Sequence, residues 1–295
     1  MVSTTGSGET RLLKWTVVLY LIVFIMKFVV YLFSGVMALL AEALHTLADL
    51  IISMFLLVAA IWSKKGADHV HRFGHGRAQN VAALVAATLF ISFTSLRLYE
   101  EAIPRLIWPV ERTYSNLPVV VGVLAISMVI AAAPLVGLYR QKAKGAAAKA
   151  QYLELINDQL GLLAAMVGSI FIIEGVPIAD PIATIVVATI IAINALGLFR
   201  ENISFLLGHS PTDEFIKKVK SVAMSVEGAR GVHALKAEYI GPDALSISFH
   251  LEVPKGTIIE KADDIAEEVR RKIYKDLKVR YCLVHVDPEG RYDHE

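Results

Sequence analysis

Residues 36–63 read VMALLAEALHTLADLIISMFLLVAAIWS, an apolar run that nevertheless contains Glu42, His45 and Asp49. A helix needs about 20 mainly apolar residues to cross a bilayer, and this run is long enough. An ionisable side chain within the membrane is costly to bury and marks a functional site by default. At about 100° per residue, the three polar side chains fall on one narrow stripe of the helix. The stretch therefore predicts a transmembrane helix with one polar face.

The whole chain is more apolar than a soluble domain. Of its 295 residues, 55% are hydrophobic and 19% are charged, which indicates several membrane spans beside a water-soluble part. We therefore expect a polytopic α-helical membrane protein with an N-terminal tail at 1–11, a six-helix transmembrane domain at 12–206 and a C-terminal domain at 207–295. The six candidate spans are Leu12–Gly35, Val36–Ser63, Ala78–Ile103, Leu117–Arg140, Ala146–Glu174 and Pro181–Phe199.

Charge and cysteine content predict the orientation and exclude some partners. Lysine and arginine cluster between spans two and three and between spans four and five, so both termini and the C-terminal domain are expected in the cytoplasm. The formal net charge of +1 gives no indication of a nucleic-acid partner. Cys282 is the only cysteine, which excludes an intrachain disulfide and a cysteine-based metal cage.

The segment from Pro211 onward has no run long enough to span a membrane. Residues 212–226 and 257–274 show the periodicity of amphipathic helices, and residues 231–240, 245–253 and 279–288 alternate like strands. The order αββαβ predicts a small α+β sandwich of two helices on one sheet. The other face of that sheet can support dimerisation.

The fifth span carries a second polar stripe. AQYLELINDQL (150–160) places Glu154 and Asp158 with the same spacing as His45 and Asp49. If the two helices face each other, these four side chains offer one imidazole and three carboxylates, a set suited to a divalent first-row cation. Either metal or protons can compensate the buried carboxylates, which is what a metal/proton antiporter requires. Scattered polar residues satisfied by helix–helix hydrogen bonds, or a proton-only relay, are the alternatives.

The loop between spans two and three is rich in histidine. GADHVHRFGHGRAQN (66–80) contains Asp68, His69, His71 and His75. Aspartate and histidine are zinc ligands, so the loop is a candidate metal site. The alternative is a solvated loop whose histidines happen to cluster.

The C-terminal domain has a third group of candidate ligands. His233, His250 and His285 each lie in a predicted strand, and Asp287 follows His285 at a spacing that keeps both on one face. Asp263 lies early in the second helix. Histidines on adjacent strands can converge on one ion, whereas the alternative is a set of hydrogen-bonded surface histidines.

These motifs together resemble the cation diffusion facilitator family of divalent-metal exporters, close to the bacterial zinc/proton antiporters. The resemblance extends over nearly the whole chain. It rests on SGVMALLAEALHTLADL (34–50), HRFGHGRAQNVAAL (71–84), the polar stripe of span five, DPIATIVVATIIA (180–192) and the αββαβ tail.

The resemblance implies a transporter rather than an enzyme. It implies a homodimer in the plasma (inner) membrane, with a metallochaperone-like cytoplasmic domain and alternating access that exchanges metal for protons. It assigns metal ligands at three places: His45, Asp49, Glu154 and Asp158 in the transport site; Asp68, His71 and His75 in the loop; and His233, His250, His285 and Asp287 in the cytoplasmic domain, where relatives bind metal across the dimer.

Several positions depart from the family pattern, among them Glu154, Asp263, Gly208 and Gln79, which replaces a glutamate frequent in the family. Glu154 stands where zinc members usually have histidine, which makes the site more anionic, should relax the preference for Zn²⁺ and should admit Fe²⁺, Mn²⁺ or Co²⁺ more readily. Cd²⁺ is a further alternative substrate. Asp263 stands where relatives often have histidine, which puts a metal pair at the dimer in doubt. Gly208 replaces an aspartate that in some relatives pairs with the base matching Arg77, so that ion pair cannot form in the same way.

Three functional hypotheses follow. The first is proton-coupled export of divalent transition metals, with Zn²⁺ as the favoured substrate. The second is an exporter that prefers Fe²⁺, Mn²⁺ or Co²⁺. The third is a metal-binding membrane sensor or scaffold with little transport.

Overall fold

The computed structural model describes residues 5–34, 37–108, 117–141, 145–174, 176, 178–241 and 244–290. The helices are α1 (Thr5–Ser34), α2 (Met37–Trp62), α3 (Ala78–Leu89), a π-helical segment (Phe90–Ser95) that continues into α4 (Leu96–Ile107), α5 (Leu117–Arg140), α6 (Ala146–Ile173), α7 (Ala179–Leu206), α8 (Asp213–Met224) and α9 (Ile259–Asp276). The strands are β1 (Gly231–Gly241), β2 (Ala244–Val253) and β3 (Tyr281–Pro288).

The described residues form two compact units. The first unit contains the chain up to Lys65 together with Ala78–Ile203, and the second contains Gly66–Arg77 together with the chain from Ser204 onward. The second unit therefore draws on two separate stretches of sequence, because the loop between α2 and α3 packs with the C-terminal residues. The expected domain ranges of 12–206 and 207–295 stay a prediction.

The first unit is built from long helices. Within the described residues, five segments are long and apolar enough to cross a membrane: Gly8–Val30, Ala43–Trp62, Ala78–Ile107, Val121–Arg140 and Pro181–Leu206. The 28-residue helix α6 is not among them. The sixth span thus stays a prediction that rests on the length of α6.

Small side chains let these helices approach closely. The core between α2, α3, α6 and α7 contains buried alanines from each of the four helices, which are Ala59, Ala60, Ala82, Ala83, Ala86, Ala87, Ala146, Ala147, Ala150 and Ala195. In a membrane, close packing of small residues is a main source of helix association, since lipid supplies no hydrophobic drive between helices. The close contact of α2 with α6 brings their two polar stripes together.

The second unit has the expected αββαβ order. Its sheet has the order β1-β2-β3, with β1 antiparallel and β3 parallel to β2. Alternate residues of β2, from Leu245 to Val253, are buried, and most of them pack against apolar side chains of α8 and α9. The Thr212 hydroxyl caps α8 by accepting a hydrogen bond from the Phe215 amide at 3.4 Å. Both helices thus cover one face of the sheet, and the polar residues of β2 occupy the other.

The loop of residues 66–77 is anchored to the sheet of the same unit. The Phe73 and Tyr281 rings pack edge to face at a centroid distance of 5.2 Å. A Cβ atom at Gly76 would lie 2.8 Å from the carbonyl oxygen of Ile240, so only glycine fits there. The Arg77 guanidinium pairs with Glu238 at 2.7 Å.

Candidate metal sites

The first site combines ligands from α2 and α6. His45, Asp49 and Asp158 each offer one ligand atom, and these three atoms lie within 4.8 Å of one another. The His45 Nε2 atom is 3.7 Å from a carboxylate oxygen of Asp49. Asp49 is buried, whereas His45 is about half exposed, with 48% of its side chain accessible. We call these three residues the intramembrane cluster.

Glu154 lies next to the intramembrane cluster and is held by other partners. Its side chain is buried, with 3% exposed. Its Oε2 atom accepts a hydrogen bond from the Ser53 hydroxyl at 3.1 Å and another from the Gln151 amide. Its Oε1 atom is buried and has no hydrogen-bond partner among the described residues. The structure therefore brings three of the four predicted transport ligands together and leaves the fourth hydrogen-bonded beside them.

The second site lies within the loop and comprises Asp68, His71 and His75, whose ligand atoms also lie within 4.8 Å of one another. The two carboxylate oxygens of Asp68 face different rings, at 3.5 Å from His71 Nδ1 and 3.5 Å from His75 Nε2. His75 is buried, and its Nδ1 atom lies 3.3 Å from the Gly66 carbonyl oxygen. Such a carbonyl contact fixes the ring of a metal-binding histidine and leaves Nε2 for the ion. We call this group the loop cluster; His69, in the same loop, is exposed and is not part of it.

The third site is a row of histidines across the sheet. His233 on β1 is paired with His250 on β2, which is paired with His285 on β3. Neighbouring ring centroids are 5.1 Å and 4.7 Å apart. The strand register therefore brings together three residues that lie far apart in the sequence.

Asp287 connects these histidines. Its Oδ2 atom is 2.6 Å from His250 Nδ1 and 3.5 Å from His233 Nε2, and its Oδ1 atom is 3.5 Å from His285 Nε2. Its side chain is only 6% exposed. One ligand atom from each of His233, His250 and Asp287 also lies within 4.8 Å of the others, and we call these three residues the sheet cluster.

Asp263 is not brought to the sheet cluster within the chain. It is exposed on α9, and α9 covers the opposite face of the sheet from the histidines. Asp263 could contribute to this site only if it came from a second copy of the chain.

Glu252 is a neighbour of the sheet cluster that sequence reasoning missed. Its Oε1 atom lies 3.0 Å from His233 Nδ1, and β-pairing places Glu252 opposite Asp287. A Cβ atom at Gly231 would lie 2.9 Å from the Glu252 carboxylate, so the glycine provides its space. The available signal was the i, i+2 relation of His250 to Glu252, which repeats that of His285 to Asp287.

A bulge in β1 follows the first histidine of the row. The register shifts between His233 and Lys236, and Ala234 has a φ of 50°. A positive φ is uncommon for a residue with a side chain, and bulges redirect side chains beside functional sites. The strained backbone at Ala234 thus adjoins the point at which His233 turns towards Asp287.

The single cysteine is not positioned as a ligand. Cys282 is buried on β3, and burial raises the pKa of its thiol to about 11 although the Arg270 charge acts in the opposite direction. At neutral pH the side chain is therefore a protonated thiol. It lies outside all three clusters.

The donor types determine what each cluster can bind. Imidazole and carboxylate together suit Zn²⁺ and other first-row divalent cations, whereas sets of oxygen alone suit Mg²⁺ or Ca²⁺. Each cluster contains both kinds of donor. In the membrane a dication also compensates the acidic charge, which is otherwise costly to bury.

Comparison with known proteins agrees with this architecture. Residues 13–207 match the cation efflux transmembrane domain, and residues 211–289 match the cytoplasmic domain of cation efflux proteins. An uncharacterized transporter of Methanocaldococcus jannaschii is 27% identical over 261 residues, which cover 87% of this chain and 90% of that protein. The cation-efflux pump FieF of Pectobacterium atrosepticum is 27% identical over 271 residues, which cover 91% of this chain and 89% of the pump.

A solved structure of a MamM CTD variant is 22% identical and covers 26% of this chain and 95% of its own, with a TM-score of 0.26.

The match to the transmembrane family takes in most of the chain, including α2 and α6. Members of this family are transporters and not enzymes. The chain therefore belongs to the cation efflux family, the cation diffusion facilitators, and is an integral membrane protein.

Proposed function

We propose that the chain exports divalent transition-metal ions in exchange for protons, with Zn²⁺ as the favoured substrate. The observation that carries the proposal is the convergence of His45, Asp49 and Asp158 from two helices within the membrane unit. A nitrogen ligand with carboxylates suits Zn²⁺. The relatives named as cation-efflux pumps support export as the direction of transport.

Glu154 would complete the transport site. To reach the ion, its carboxylate would leave the hydrogen bonds from Ser53 and Gln151. A set of one imidazole and three carboxylates is more anionic and harder than one with two imidazoles, and it would accept Fe²⁺, Mn²⁺, Co²⁺ and Cd²⁺ beside Zn²⁺. The contribution of Glu154 would thus decide the breadth of selectivity.

Protons would replace the ion on the return step. Metal ligands must be deprotonated before they bind, so metal binding releases protons. When the ion has left, protons on the carboxylates would remove the charge that is costly to bury. A site that must hold either metal or protons couples the two flows during alternating access.

The remaining parts would serve cytoplasmic metal. With six spans, including α6, and basic loops on the inner side, both termini would face the cytoplasm of a plasma (inner) membrane. The loop cluster and the sheet cluster would then bind metal there, and the domain would pair in a homodimer, as the match to the cation efflux cytoplasmic domain supports. His285 and Glu252 adjoin the sheet cluster and would adjust its charge.

Transport into vesicles tests the proposal. Purified protein in liposomes with an imposed pH gradient should take up Zn²⁺ and move protons in the opposite direction, and Asp49→Ala and Asp158→Ala should each abolish both flows. Glu100→Ala, which removes an exposed acid on α4, is the matched control and should transport normally. Flux at the wild-type level in both aspartate variants would refute the site, and metal binding without any flux would favour a sensor or scaffold.

A competition among Zn²⁺, Fe²⁺, Mn²⁺ and Co²⁺ tests the role of Glu154. Glu154→His restores the imidazole that the family resemblance leads one to expect, and it should shift uptake towards Zn²⁺. An unchanged order of preference would show that Glu154 does not set selectivity.

A further inference from the structure

Tyr20 on α1 is a buried polar residue that is not among the proposed transport ligands. It is 4% exposed and belongs to a cluster of buried side chains that includes Leu50 and Leu155. These two leucines directly follow Asp49 and Glu154 in the sequence. The Tyr20 ring therefore packs where α2 and α6 carry their acidic residues.

The Tyr20 hydroxyl is buried and has no hydrogen-bond partner among the described residues. Buried hydroxyls are nearly always hydrogen-bonded, and leaving one without a partner lowers stability. A phenylalanine would fill the same space without that cost. The hydroxyl therefore needs an explanation other than stability in this conformation.

The acidic side chains near Tyr20 supply that explanation. The carboxyl groups of Glu154, Asp158 and Asp49 lie close enough to Tyr20 to interact with it. Glu154 Oε1 is itself buried and lacks a hydrogen-bond partner among the described residues. A hydroxyl can donate and a carboxylate oxygen can accept, so the two atoms are chemically complementary.

We propose that Tyr20 is a positioning residue of the transport site, whose hydroxyl donates a hydrogen bond to Glu154 Oε1 when metal is bound. The proposal rests on the proposed transport function. Carboxylates that bind metals are themselves usually oriented by hydrogen bonds from neighbouring groups. Ser53 and Gln151 hold Oε2 in the present conformation. When Glu154 leaves the hydrogen bonds from Ser53 and Gln151 to reach the ion, a hydrogen bond from Tyr20 to Oε1 would hold its carboxylate towards the ion.

Tyr20→Phe removes only the hydroxyl and is the appropriate test. Zn²⁺ uptake into proteoliposomes gives KM and the maximal rate, and thermal unfolding of the full chain in detergent gives Tm with and without Zn²⁺. The loss of a group that orients a metal ligand typically weakens metal affinity about 10- to 100-fold. We expect KM to rise by about tenfold or more, while Tm without Zn²⁺ stays the same or rises.

Tyr99→Phe is the matched control. The Tyr99 hydroxyl is hydrogen-bonded to Thr189 Oγ1 at 2.6 Å, between α4 and α7 and outside the site. We expect this variant to lower Tm and leave the KM for Zn²⁺ unchanged. Tyr20→Phe should thus raise KM without lowering Tm, whereas Tyr99→Phe should lower Tm without changing KM. A general effect of removing a hydroxyl cannot produce both results.

A second measurement examines whether Tyr20 acts through Glu154. In a Glu154→Ala background, Tyr20→Phe should leave the change in Tm produced by Zn²⁺ unaltered, because the acceptor is gone. A KM for Tyr20→Phe within about twofold of the wild type, or a lower Tm without metal, would overturn the proposal. If Asp49→Ala also transports Zn²⁺ normally, the proposed function itself fails; if Asp49→Ala is inactive, only the role of Tyr20 fails.

Discussion

Asp287→Asn is the sharpest test of the sheet cluster, because the substitution keeps the size of the side chain and removes its charge. Asp287 lies within 3.5 Å of ring nitrogens of three histidines, and its contact with His250 is 2.6 Å. A buried hydrogen bond to a charged group contributes about 1.5–3 kcal/mol. At about 1.4 kcal/mol per factor of ten, the metal-free domain of the variant should open roughly 10- to 100-fold more often.

Metal binding should change more than metal-free stability. At a Zn²⁺ concentration 100 times Kd, one site stabilises the folded state by about 2.7 kcal/mol. Hydrogen exchange of the β2 and β3 amides, measured in the full chain in detergent, reports such opening. Zn²⁺ should slow exchange roughly 100-fold in the wild type and have little effect in Asp287→Asn.

The neighbouring acid provides the control for this experiment. Glu289 is exposed just beyond β3, and Glu289→Gln should retain the full response to Zn²⁺. If Zn²⁺ protects the β2 amides equally in Asp287→Asn and in the wild type, Asp287 does not bind the ion, and the assignment of the sheet cluster is wrong.

Two further changes test local features of the same unit. Ala234→Gly should stabilise the unit by up to about 1 kcal/mol, because a left-handed residue with a side chain costs about 1–2 kcal/mol. Ala237→Gly, within the same strand, should destabilise the unit. Hydrogen exchange of the strand amides compares the two variants. The Cys282 thiol, with its pKa raised from 9.0 to about 11, should react with iodoacetamide about 100-fold more slowly in the folded chain than in denaturant at pH 8, because the thiolate is the reactive form. Because the thiol pKa is higher in the folded state, its contribution to the free energy of unfolding is complete below pH 9 and is lost as the pH rises towards 11. Equal alkylation rates in the folded and denatured states, or a loss of stability confined to pH below 9, would contradict this reasoning.

Much of the C-terminal domain could be predicted because its signals are local. The periods of 3.6 and 2 along the chain predict the order αββαβ, and the i, i+2 spacing places Asp287 on the face of His285. The register that aligns His233, His250 and His285 could not be predicted, since pairing depends on contacts between distant strands. Glu252 was missed because a glutamate in a strand is usually a solvated residue of the exposed face.

The membrane site shows the same limit. The stripe of His45 and Asp49 is visible in the sequence, because helical spacing alone places both on one face. What the sequence could not give is the state of Glu154, since Ser53, one of its hydrogen-bond donors, lies about a hundred residues away on α2. Tyr20 carried no signal at all, because a tyrosine in an apolar helix is ordinary and only packing reveals that its hydroxyl lacks a partner.

Arg77 illustrates how a missing partner can be replaced. The family resemblance leads one to expect an aspartate at the position of Gly208, and glycine offers no side chain to pair with Arg77. The guanidinium instead pairs with Glu238 and also donates to the Tyr239 carbonyl oxygen at 3.3 Å. A Cβ atom at Gly208 would lie 3.0 Å from the Glu238 carboxylate, so the glycine leaves room for the substitute.

The anchoring of residues 66–77 to the sheet means that the soluble unit is discontinuous in the sequence. A fragment that begins at Ser204 would contain β1, β2 and β3 and lack the segment that packs on Tyr281 and Ile240. It would expose surfaces that residues 66–77 cover in the whole protein. Its metal affinity and oligomeric state would therefore differ from those of the complete unit. Conversely, a chain shortened at residue 203 would leave the loop cluster without its support. Neither half can be removed cleanly, because the polypeptide that leaves α2 passes through the second unit before it returns as α3.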